Sequence, residues 1–80
     1  MEKHEIIEVI NLVLTKRGKK LLGSDLTIEL RSHGFRSMDF SEVALRIESM
    51  MDQELIFDAA VLRSIQTFED VVNFLYRATR

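Results

Sequence analysis

Three stretches of this chain repeat apolar residues at the spacing of a buried helical face, and little is left over for any other fold. Ile6, Ile7, Ile10, Val13 and Leu14 form the first stripe, Phe40, Val43, Ala44, Ile47 and Met51 the second. Phe68, Val71, Val72, Leu75 and Tyr76 form the third. Residues three and four apart share one face of an α-helix, so each stripe is one amphipathic helix with an inner side. The spacing predicts an all-α fold: a four-helix bundle of three longer helices and one short one, with a long loop between helices one and two.

Capping residues set the expected boundaries. The first helix runs from Glu2 to about Lys16, with Glu2, Glu5 and Glu8 suited to the positive end of its dipole. Lys16, Arg17, Lys19 and Lys20 meet the negative end, and Gly18 stands where a C-cap belongs. Leu21 to Phe35 is a long connection punctuated by Gly23, Ser24 and Gly34, and Ser24-Asp25 is placed to start a helical turn. Leu21, Leu22, Leu26, Ile28 and Leu30 should pack it onto the bundle; the alternation of Leu26, Ile28 and Leu30 is too short to argue a sheet. The second helix spans Ser37 to about Met51. Leu55, Ile56 and Phe57 then form an apolar plug, and Asp58 can cap a brief third helix through Leu62. Thr67-Phe68-Glu69-Asp70 reads as a capping box opening the last helix.

Size limits what such a chain can do. A chain of 80 residues buries only about two-thirds of its unfolded surface, which gives one domain over 1–80 with one core and little room for a substrate cavity. A fully buried large apolar side chain contributes roughly 1.5–3 kcal/mol, so a dozen of them outweigh chain entropy by a narrow margin. No cysteine is present, which excludes disulfides, thiolate metal sites and a thiol nucleophile belonging to the protein. Two histidines far apart are a poor start for zinc, and no metal site is expected. No apolar run approaches the roughly 18–20 residues of a membrane span, and nothing at the N-terminus reads as a signal peptide. The expectation is a cytoplasmic monomer.

Charge is distributed unevenly. Residues 1–33 carry six Lys/Arg against five Asp/Glu, a net of +1, and residues 34–80 carry five against eight, a net of −3. Between Ser37 and Asp58 lie six acids and a single base, Arg46. Nucleic-acid affinity comes largely from neutralising phosphates, so an acidic domain of this kind is expected to bind none, and the Lys-Arg-Gly-Lys-Lys run reads as dipole complement and solvated loop. Acid clustered on the second helix suits a basic protein surface instead.

The candidate site is the start of that helix, Gly34-Phe35-Arg36-Ser37-Met38-Asp39. A serine at a helix start is most often an N-cap. Here Gly34 permits a tight turn, Phe35 can anchor it in the core, and the helix N-terminus favours an anionic ester on Ser37. Met38, Glu42, Leu45 and Glu48 share an outer face, acidic with large apolar residues set in it, and its glutamates are expected to be solvated. A hydrolase triad of His33, Ser37 and Asp39 is excluded, since one turn of chain cannot build that geometry and no G-x-S-x-G elbow exists. No catalytic residue is assigned.

These residues resemble the 4′-phosphopantetheine attachment motif of acyl carrier proteins, usually (D/E)-L-G-x-D-S-L-(D/E). The likeness extends over nearly the whole chain: first helix, long packed loop ending at the motif, short third helix and closing helix. The resemblance implies a non-catalytic carrier with covalent 4′-phosphopantetheine on Ser37, holding acyl or aminoacyl cargo as a thioester. It implies as partners a phosphopantetheinyl transferase, an acyl- or aminoacyl-loading ligase, and downstream transferases or synthases. Arg36, Met38, Asp39, Glu42, Leu45 and Glu48 would form the recognition surface. Among the departures from the family pattern, Arg36 replaces Asp, His33 replaces Leu before the glycine, and Met38 replaces Leu. These departures point to a specialised carrier with its own dedicated partners, or to a relative that has lost modification. The competing reading is an unmodified helical adaptor that binds a basic surface through the acidic face of helix two.

Overall fold

The helix boundaries follow the caps. In the computed structural model, which describes residues 1–21 and 25–80, α1 spans Lys3–Thr15, α2 Ser37–Met51, α3 Ala59–Ser64 and α4 Phe68–Ala78. The expected turn start at Ser24, with Leu22 and Gly23, lies outside the described residues. Glu2 is the N-cap of α1, its N–H donating to Glu5 Oε1 at 2.8 Å. Lys16, not Gly18, holds the C-cap; Gly18 sits two residues later at φ 70°, where the Lys19 N–H turns back to the Leu14 carbonyl. Asp58 accepts the Val61 N–H at 3.0 Å to start α3. Thr67 and Asp70 exchange the two bonds of the expected capping box.

All three stripes turn inward. α1 packs against both α2 and α4, with Ile6, Ile10, Val43, Ile47, Phe68 and Leu75 among the fully buried side chains. α3 buries no residue completely and lies at the margin of this core. The apolar plug after α2 divides: Leu55 is buried and Phe57 meets Phe40 edge-on, but Ile56 between them is 87% exposed. Three consecutive residues on an irregular segment cannot all face one core. The described residues contain no strand.

The long connection is tied down by backbone hydrogen bonds that its apolar residues alone do not reveal. Leu30 N–H donates to the Gln66 carbonyl, Phe68 N–H to Ile28 and Glu69 N–H to Leu26. The loop thus supplies acceptors for two donors at the α4 N-terminus, groups that the helix itself cannot satisfy. At the start of the described loop, Asn11 on α1 clamps Leu21, accepting its N–H at 2.6 Å and donating to its carbonyl at 3.1 Å. A 3₁₀ turn over Leu30–His33 carries the chain to Gly34, whose φ of 65° sends Phe35 into the core beside Phe68. Side-chain periodicity does not announce that turn.

The basic run after α1 also behaves differently from expectation. Lys16 and Arg17 reach across to acids of α2, Glu42 and Asp39, rather than solvating the end of their own helix.

Candidate functional site: the start of α2

Ser37 is the first residue of α2, and it does not cap the helix. Arg36 holds the N-cap position in extended backbone, and its N–H donates to Asp39 Oδ2 at 2.8 Å. The capping acceptor is therefore the carboxylate two positions beyond the serine. Ser37 is exposed and makes no side-chain hydrogen bond among the described residues. Its hydroxyl stands free at the positive end of a helix of 15 residues.

The expected recognition residues separate into three groups. Arg36, Met38 and Leu45 are exposed, the last two at 84% and 64%. Asp39 is turned inward with 6% of its surface exposed, held by the Arg36 N–H and the Arg17 guanidinium, so it is a structural carboxylate with no free face. Glu42 and Glu48 are half-buried and engaged, which corrects the expectation of simple solvation. Glu42 Oε2 lies 2.6 Å from Lys16 Nζ and 3.1 Å from Arg46 Nη2. Hydrogen bonds from Lys16 and then Arg46 hold its carboxyl below the ordinary 4.5. Glu48 accepts the Leu55 N–H at 2.6 Å, pinning the chain that leaves α2.

Beside Ser37 lies an open groove of about 800 Å³ between the 3₁₀ turn and α3. Leu30, Leu62 and Ile65 are among its apolar lining residues, and its charged lining residues are Arg31, Arg36 and Arg63 against one acid, Glu29. Sequence reasoning missed Arg31 and Arg63, because only the tertiary approach of a loop and a six-residue helix brings them to one groove with the serine. The His33 ring meets Phe68 edge-on, and its buried Nδ1 has no partner among the described residues.

Protein-family models, curated proteins and solved structures offer no match to this chain. Among the described residues, no group of three or more His, Asp or Glu side chains is placed to hold a metal ion. No described helix is long and apolar enough to cross a membrane.

Proposed function

We propose that the protein is a non-catalytic carrier of the acyl-carrier type, with Ser37 the attachment point of a 4′-phosphopantetheine arm. One observation carries this reading. Ser37 is exposed at the first position of α2 and the cap is made by Asp39, so the hydroxyl has no structural task there. Residues around it fit an ester-linked anionic arm: the α2 N-terminus offers its dipole, and the adjoining groove gives a flexible chain a surface to lie on. The arm would supply the thiol that this cysteine-free chain lacks, holding acyl or aminoacyl cargo as a thioester for a fatty-acid, polyketide or related specialised pathway. The helices would form a four-helix bundle acting as a cytoplasmic monomer. A transferase, a loading ligase and downstream enzymes would meet it through Arg36, Met38 and Leu45.

Co-expression with a promiscuous phosphopantetheinyl transferase and measurement of intact mass tests the assignment. The added mass should map to the Ser37 peptide and vanish in Ser37→Ala; an unmodified protein, or a group found on Ser64, would defeat it.

The exposure of Met38 and Leu45 also favours a second reading, an unmodified adaptor docking through the outer face of α2. Under that reading Ser37→Ala leaves partner binding unchanged.

A further inference from the structure

The groove beside Ser37 has a sign opposite to that of its surroundings. The chain carries a formal charge of −2 and concentrates its acid on and after α2, yet Arg31, Arg36 and Arg63 converge here against Glu29 alone. Three other cations are matched: Lys16 and Arg46 with Glu42, Arg17 with Asp39. The three groove arginines have no acidic partner within ion-pair distance among the described residues. Guanidinium groups set around an apolar wall are suited to a chain that is apolar along its length and anionic at its end, since arginine binds carboxylates in a planar, two-pronged fashion. At about 800 Å³ the groove is within the size range of sites that hold organic ligands of moderate length.

Building on the carrier reading, we infer that this groove is an anion site and that the cargo carried from Ser37 is an acyl group ending in a second acidic function, a carboxylate. Attachment at the groove's rim raises the local concentration of the anion, so weak individual contacts suffice. A phosphate in the arm itself would offer the arginines similar chemistry, and the test separates the two sources.

The absence of cysteine makes Ser37→Cys a uniquely addressable variant, independent of any transferase. Its thiol is alkylated with a phosphate-free bromoacetamide arm, and bromide leaves as the thioether forms. Two arms of equal length are compared, one ending in a carboxylate and one in a carboxamide. At low salt the carboxylate form should melt about 4 °C higher, the shift that a modest contact produces in a domain of this size. That difference should disappear in the added background Arg31→Gln/Arg36→Gln/Arg63→Gln, and in 1 M salt, where charges are screened within about 3 Å. Each background is judged against its own carboxamide form, so a general change in stability cancels.

Equal melting of the two forms at low salt overturns the inference, as does a difference that survives loss of all three arginines. If the cargo-free phosphopantetheine arm stabilises the protein through these arginines and the phosphate-free tethers do not, they serve the arm's phosphate and the cargo assignment is wrong. Failure of the carrier reading registers separately, as absent modification of Ser37 in the intact-mass measurement.

Discussion

Arg17 Nη2 lies 2.9 and 3.1 Å from the two carboxylate oxygens of Asp39, joining the segment after α1 to the first turn of α2. The acid is almost wholly enclosed while the guanidinium is about half exposed, so water screens only one side of the pair. The same carboxylate caps α2 through the Arg36 N–H. One side chain thus fixes both the start of the helix and its distance from α1.

Asp39→Ala should therefore cost about 2 kcal/mol, by removing a cap and leaving Arg17 without its acid. Arg17→Ala should cost less, about 1 kcal/mol, because the capping bond remains. Thermal melts of the two variants test the order; for a domain of this size each kcal/mol corresponds to roughly 4–8 °C. A loss below about 0.5 kcal/mol for Asp39→Ala would match an ordinary surface position and remove the double role.

Ser37→Ala separates the two meanings of a serine at a helix start. An N-cap serine costs about 1 kcal/mol when truncated. Ser37 makes no bond of that kind, so its replacement should leave stability within about 0.5 kcal/mol and, on the carrier reading, abolish modification. Denaturant melts beside intact-mass spectra give both answers, and a full capping loss would return Ser37 to a structural role.

Acid should unfold the domain through two carboxylates in particular. Backbone N–H groups of Gln66 and Thr67 hold the Asp70 carboxyl below its ordinary 3.8, and Lys16 with Arg46 holds Glu42 below 4.5. Both values are depressed on folding, so the associated stability is complete above the unfolded values. It declines as pH falls through them towards the folded values. Stability measured by urea melts should be flat near neutrality and fall below about pH 4.5. Asp70→Asn should flatten the lower part of that fall, below about pH 3.8; an identical acid limb in that variant would show that Asp70 is not linked to folding.

Side-chain periodicity made the helices legible, since Ile6, Ile10, Val43, Ile47, Val71 and Leu75 recur at one spacing and all are buried. Caps were readable for the same local reason: Asp58, Thr67 and Asp70 act on donors three or four residues away. What escaped is what depends on approach between distant segments. Nothing in the run Leu26 to Leu30 announces backbone bonds to residues 66–69, and Ile56 looks no different from Leu55 until the chain direction is fixed. Helical phase placed Asp39 beside an outward face, but Arg17, 22 positions earlier, draws it in. Arg63 comes to line one groove with the serine by the same kind of long-range approach.

The outer face of α2 yields a last prediction, in which two side chains that look equivalent in sequence behave in opposite ways. Leu45 and Glu48 are three residues apart, but only Glu48 is engaged, accepting the Leu55 N–H at 2.6 Å. Reversing its charge in Glu48→Lys removes an acceptor from a buried residue's backbone, and should destabilise the fold by about 1–2 kcal/mol whatever its effect on binding. Leu45 is 64% exposed, and with Met38 it offers apolar surface to a partner arriving at Ser37. Leu45→Ala should leave the melting temperature unchanged and, on the carrier reading, raise the dissociation rate from a loading enzyme. Association should change little, because truncation alters no charge. Surface-plasmon measurements at two ionic strengths, beside thermal melts of both variants, separate the cases. If Leu45→Ala binds as long as the parent, or if Glu48→Lys melts with it, the division of this face into a contact and a strut is wrong.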